Sequence, residues 1–244
     1  MDSLYERYVN YVKKLLLQNN LSFFKGVEDY TYMLEHVTPS NGRKYFDLLK
    51  NKTSLTNTQI LDFCMKNDSI GSPTKINTEC GRVSPTSLRY LFQAHLILTH
   101  FKGKTSSPLN IVELGGGYGG LCLAISYVSG LYSIPVESYS IIDIDTITEF
   151  QKLYLSKFTL SFPLHVHSSE TYGRDIASGS YLISNYCFSE ISSTHQKEYI
   201  THLFPKLVHG FITWNNIPVY NFGFPHTAET EYPLTGELNK YVRF

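Results

Sequence analysis

The chain predicts an α/β fold: an open, mostly parallel sheet covered by helices on both faces, preceded by a helical region. Three observations predict it. From residue 109 onward, short apolar runs alternate with helical stretches, the pattern of a parallel sheet. Residues 1–105 show helical periodicity and no convincing strand pattern. Between the two lies Asn110-Ile111-Val112-Glu113-Leu114-Gly115-Gly116-Gly117-Tyr118-Gly119-Gly120, an apolar strand that runs into five glycines in six positions and at once into a helical stretch, Leu121 to Val128.

In the helical region, Leu4, Tyr8, Val12, Leu15 and Leu16 fall on one stripe of a first helix that Asp2 or Ser3 can cap. A second helical run is Val27 to His36, broken by Pro39-Ser40-Asn41-Gly42. Arg43 to Leu49 and Thr56 to Met65 make two more, and residues 68–83 read as an irregular connector. Ser84 then caps a strong helix to about Phe101, with Pro85 in the first turn, where its missing N–H is harmless. The strands that follow are Asn110 to Leu114, Glu137 to Ile142, Leu164 to His167, Tyr181 to Asn185 and Gly210 to Trp214. Helices from Gly119, Thr146 and His195 lie between them. The remaining length has room for two more strands, about Thr227 to Tyr232 and Lys240 to Phe244. The chain therefore divides into residues 1–105, a helical cap, lid or dimerisation region, and 106–244, the sheet domain.

Composition narrows the function classes. With 244 residues, 42% of them hydrophobic, the chain can bury a sizeable core. Lys+Arg and Asp+Glu both number 21, which argues against a broad nucleic-acid-binding face. No signal peptide or membrane span is visible. The cysteines, Cys64, Cys80, Cys122 and Cys187, are far apart, so neither zinc nor a disulfide framework is expected, and a reducing, cytoplasmic setting is the default. No tight cluster of carboxylates or histidines calls for a metal.

The glycine loop suits a nucleotide cofactor, because glycines turn the backbone with φ > 0 and admit a ligand where a Cβ would clash. Gly115, Gly117 and Gly120 satisfy G-x-G-x-x-G, the dinucleotide fingerprint. Glu113, Gly115, Gly117 and Gly119 satisfy E-x-G-x-G-x-G, which resembles motif I of class I S-adenosylmethionine (SAM) methyltransferases. A carboxylate at the strand's end suits a sulfonium or ammonium ligand and would repel a pyrophosphate. SAM is therefore preferred; a dinucleotide and a ligand-free structural turn remain alternatives.

In an open parallel sheet, ligands bind at the carboxyl ends of the strands. After the second strand, Asp143 is placed to accept both ribose hydroxyls, while Asp145 suits a helix cap. After the third, Ser168, Ser169 and Glu170 could border the adenine. After the fourth come Ser184, toward the cofactor, then Asn185 and Tyr186 as positioners. Glu190 follows as a base or an acceptor for a sugar hydroxyl. Trp214, Asn215 and Asn216 after the fifth offer a stacking wall and polar contacts, although Trp214 could equally be core. His226 and His195 are further candidate bases, since an imidazole titrates near neutrality.

Taken together, residues 113–120, Ile142-Asp143, Gln151-Lys152-Leu153-Tyr154-Leu155 and Ser184-Asn185-Tyr186-Cys187-Phe188-Ser189-Glu190 resemble the family of sugar O-methyltransferases, over roughly residues 68–244. Ser87-Leu88-Arg89-Tyr90 fits the same family. The resemblance implies a Rossmann-like class I methyltransferase sheet of seven strands, the last antiparallel. It also implies SAM as cofactor, methylation of a hydroxyl on a sugar or glycan, and Arg89 on the SAM carboxylate, a surface salt bridge being its alternative. In that family the acid of motif I helps to hold the loop and the ligand's cationic groups. One departure is Asp143-Ile144-Asp145, where the family tends to Asp-Leu-Pro; the ribose acceptor is kept, but the turn after it differs. A methyltransferase of another small-molecule or protein acceptor, an NAD-dependent oxidoreductase or epimerase, and a silent SAM-fold subunit are the competing readings. A homodimer through the helical half is compatible with all of them.

Overall fold

The computed structural model describes residues 4–105 and 107–244. Helix α1 (Leu4–Gln18) buries Tyr8, Val12 and Leu15 at helical spacing. Its expected cap, Asp2 or Ser3, lies outside the described residues. Only a short helix, α2 (Glu28–Thr31), forms in the next run, which was expected to be helical throughout. Past its end the chain continues as turns, and the Leu34 side chain meets the glycine loop at Gly117. Pro39 opens helix α3 (Pro39–Lys52) instead of breaking one. Thr38 Oγ1 accepts from the Asn41 N–H at 3.2 Å, and proline is at home in a first turn. Helix α4 (Asn57–Asp68) begins with a reciprocal capping box between Thr56 and Gln59.

The connector read as irregular contains a hairpin of β1 (Ile76–Thr78) and β2 (Gly81–Val83), with Ile76 opposite Val83. Strands of three residues are too short to show an alternation. Helix α5 (Pro85–Lys102) starts at its expected Ser84 cap. The sheet domain then runs β3 (Leu109–Leu114), α6 (Gly120–Tyr132), β4 (Val136–Asp143), α7 (Asp145–Leu155), β5 (Leu164–Ser168) and β6 (Ser180–Asn185). It continues with α8 (Cys187–Glu190), α9 (Ser193–His202), β7 (Leu207–Trp214), β8 (Thr227–Thr230) and β9 (Lys240–Arg243). Asp145 is the first residue of α7, not its cap; Asp143 Oδ1 accepts the Ile144 N–H at 2.9 Å.

The strand order is β5-β4-β3-β6-β7-β9-β8, parallel except for β9, which is antiparallel to both neighbours. This is the expected Rossmann-like, seven-stranded sheet, with the last strand reversed. Side chains alternate between its faces. Ile111, Ile141, Ile183 and Phe211 join one core with the N-terminal helices, while Val112, Ile142, Leu182 and Ile212 join a second with α9. The chain leaves β3 toward β4 and leaves β6 toward β7, so the carboxyl ends of the adjacent β3 and β6 flank the switch point of the sheet.

The N-terminal helices pack over that end. Phe24 meets the Phe150 ring at 5.1 Å, and buried Lys25 lies 4.4 Å from the Tyr118 centroid, in the glycine loop, while donating to the Asn67 carbonyl at 2.5 Å. Among the described residues, no helix is long and apolar enough to cross a membrane.

Candidate functional site

A cavity of about 310 Å³ opens at the carboxyl ends of β3, β4, β6 and β7, where the switch point predicts a ligand. Gly115 and Gly117 form its floor, with φ of +76° and +56°. A Cβ on Gly115 would lie 2.3 Å from the Cys187 Cβ, and one on Gly117 would lie 3.2 Å from Leu34 in the roof. Both positions favour glycine by conformation, and Gly115 requires it for space as well. Gly119, φ +94°, caps α6 and packs against Leu155 without lining the cavity.

Of the two acidic residues expected at the ligand, Asp143 lines the cavity and Glu113 does not. Glu113 is 1% exposed, lies behind the loop and accepts from Tyr139 Oη at 2.9 Å. Burial pushes its carboxyl up to about 8, against the lowering effect of the Tyr139 hydrogen bond. The carboxylate that lines the cavity is Asp143. Its Oδ2 accepts from the Gly116 N–H at 3.1 Å and from Gln151 Nε2 at 2.9 Å. Asp143 thus tethers the loop, and Gln151 Nε2 adds a second tether to the Gly117 carbonyl at 3.0 Å. Burial raises the Asp143 carboxyl to about 6 in spite of these donors.

Beyond β6, Asn185, Tyr186 and Glu190 all line the cavity. Asn185 is fixed at both ends of its amide, donating to Gln93 Oε1 at 3.0 Å and accepting from Thr213 Oγ1 at 2.8 Å. Glu190 Oε1 accepts from Asn215 Nδ2 at 2.5 Å, and Asn215 Oδ1 accepts from Ser189 Oγ at 2.6 Å. Asn215 and Asn216 line the cavity, and Trp214 is core, fully buried.

Other expected residues lie elsewhere. Ser184 is buried, donating to the Leu114 carbonyl at 3.1 Å and accepting from the Phe188 N–H at 3.0 Å; it ties β6 to β3. Ser168 pairs with Asp143 in register, but its Oγ caps the following turn. Arg89 is 5% exposed and braces the roof from behind, Nη2 donating to the Leu34 carbonyl at 3.4 Å. His226 stacks on Phe222 at 4.6 Å, with Nδ1 2.9 Å from the Phe224 carbonyl, and His195 bonds Tyr172; neither lines the cavity.

Sequence reasoning missed Tyr8, His36, Thr235 and Asn239, which complete the walls. No local motif announces them, because they arrive from the chain's two ends. His36 is held neutral, its imidazole pushed down to about 4 by burial and by the nearby Arg89 charge. Among the described residues, no group of three or more His, Cys, Asp or Glu could hold a metal ion.

No protein-family model matches the chain, and no curated protein matches it. Solved structures with a similar fold include CalS10, a SAM-bound amino pentose methyltransferase from Micromonospora echinaspora (8% identity, TM-score 0.41, 58% of this chain and 58% of that one). LepI in complex with SAM gives 9% identity and a TM-score of 0.45 over 97% of this chain and 63% of that one. The methyltransferase domain of bacterial CtHen1 gives 12% and 0.45 over 62% of this chain and 94% of that one. This chain thus spans 58% and 63% of the length of the first two. At such values the likeness adds nothing to the strand order, on which the fold rests.

Proposed function

We propose that the chain is a SAM-dependent O-methyltransferase acting on a sugar or glycan hydroxyl. The observation that carries the reading is the floor of the cavity: two left-handed glycines from the β3 loop beside a carboxylate from the end of β4, at the switch point of this sheet. The donor set fits SAM. A cradle without Cβ atoms admits the ligand's backbone-hugging part, and Asp143 can accept a ribose hydroxyl in the place that Gln151 Nε2 now holds. The charged side chains lining the cavity are the carboxylates Asp143 and Glu190, which favour a sulfonium and oppose a pyrophosphate.

When bound, SAM supplies an electrophilic methyl group. The chain's part is to align the acceptor oxygen and take its proton. Glu190 is the proton acceptor in this reading: it lines the cavity, and Asn215 orients it through one oxygen. Asn185, locked by Gln93 and Thr213, positions the reacting groups. His226, also expected as a base, would need to leave its stack on Phe222 to take part. The N-terminal helices, with Tyr8, Met33, Leu34 and His36 over the floor, act as the lid.

The test is thermal stabilisation by S-adenosylhomocysteine against NAD, since a ligand specific to the folded state raises Tm by mass action. A shift with the homocysteine compound that is lost in Asp143→Ala supports the reading. A shift with NAD alone would return the glycine loop to dinucleotide chemistry.

A further inference from the structure

We propose that the wall facing the glycine floor, formed by Asn215, Asn216, Thr235 and Asn239, is a subsite for an uncharged polyhydroxylated acceptor, and that Glu231 is the positioning residue that holds it. The proposal rests on the methyl-transfer reading and names the acceptor class within it.

The wall is assembled from two separate connections: one follows β7, the other joins β8 to β9. Its side chains are amides and a hydroxyl, which both donate and accept and so match the hydroxyls of a pyranose ring. The charges on the cavity's surface, Asp143 and Glu190, have one sign. A phosphate or a uronate on the acceptor would face both without a cation to pair with among the described lining residues. Backbone strain marks the same wall. Asn216 has φ +61° and Tyr186, at its edge, +66°, conformations that side chains adopt rarely and that a surrounding structure must maintain.

Glu231 supplies that maintenance at Tyr186. It is 1% exposed and does not itself line the cavity. Its Oε1 accepts from Tyr186 Oη at 2.5 Å. Its Oε2 accepts from the Thr235 N–H at 3.0 Å, from Thr235 Oγ1 at 2.6 Å and from Asn239 Nδ2 at 2.9 Å. One buried carboxylate thereby joins the strained turn after β6, at the edge of the wall, to Thr235 and Asn239 of the β8–β9 connection through four hydrogen bonds to a single group.

The experiment uses the full chain saturated with S-adenosylhomocysteine. Saturation-transfer NMR is recorded with a panel of methyl hexopyranosides and with their 6-phosphates and uronates. The expected result is binding of uncharged glycosides, with the charged counterparts weaker by about tenfold or more. Glu231→Gln, which places an amide donor against the donors it must accept, weakens the glycoside by about tenfold while homocysteine-compound affinity stays within about twofold. Should that variant fail to fold, Asn216→Ala, at an exposed position, is held to the same expectation. Equal binding of charged and uncharged members, no binding of any uncharged glycoside, or an unchanged glycoside affinity in the variant that folds would each overturn the proposal. Failure of the unsubstituted chain to bind S-adenosylhomocysteine would instead strike the methyl-transfer reading.

Discussion

Glu113→Gln separates a carboxylate that holds charge for the ligand from one that is neutral behind the loop. In the structure Glu113 is buried, and its carboxyl is pushed from 4.5 to about 8 by burial, with the Tyr139 hydroxyl opposing and the Asp143 charge adding. The folded state therefore binds this proton more tightly than the unfolded state between those two values. Stability must fall as pH rises through that window, by about 1.4 kcal/mol per pH unit from this group. Across the whole window the loss is ~5 kcal/mol, which is comparable to the entire stability of many domains. The amide keeps an acceptor for Tyr139 Oη and cannot ionise. Urea unfolding at pH 5 and pH 7.5 reads the effect: the fall in stability between them should be smaller in the variant by ~3 kcal/mol. Affinity for S-adenosylhomocysteine should stay within about twofold, since Glu113 does not touch the cavity. Parallel pH profiles for the two proteins would refute the burial of a neutral carboxyl at this position, and a large loss of affinity would return Glu113 to the ligand.

Gly115→Ala should destabilise the fold by ~2–4 kcal/mol and abolish cofactor binding, because its Cβ would lie 2.3 Å from that of Cys187 at φ +76°; thermal melts with and without S-adenosylhomocysteine check both. Asp143→Asn should weaken that ligand by about tenfold or more in calorimetry, since an amide keeps only one accepting oxygen and so turns its NH2 either on the Ile144 N–H or on the Gly116 and Gln151 donors. Because burial raises the Asp143 carboxyl to about 6, the affinity of the unsubstituted protein should also decline as pH drops below that value. Glu190→Gln should lower kcat by about 10²- to 10⁴-fold with cofactor affinity unchanged, as measured by methyl transfer under saturating SAM.

Much of the sheet was legible. Its strands carry apolar runs bounded by glycine, proline and asparagine, and these place β3, β4, β6 and β7 to within a few residues. Asn185, Glu190, Asp143 and the floor glycines share one cavity because each follows a strand's carboxyl end, a rule that needs only the strand order. Ser184, Ser168 and Gly119 follow the same rule and yet do not line the cavity, because the side of the chain on which a residue lands depends on its neighbours. Ser184 Oγ is committed to Leu114 and Phe188, and Gly119 to Leu155. The helical half was harder. Val27 to His36 has helical composition, but Leu34 leaves the helix to roof Gly117, and a long-range contact overrode local propensity.

The sequence by itself determined the fold class, the switch point and the glycine floor. Each depends on local periodicity or on a conformation that only glycine adopts readily, and such properties are written in adjacent residues. Tertiary structure alone decided that Glu113 is buried away from the cavity, which histidines stay outside it, and that Glu231 joins Tyr186 to Thr235 and Asn239. These depend on burial and on hydrogen bonds between segments far apart in the chain. Their energies arise only when desolvation and pairing occur together, and no short stretch of sequence contains both.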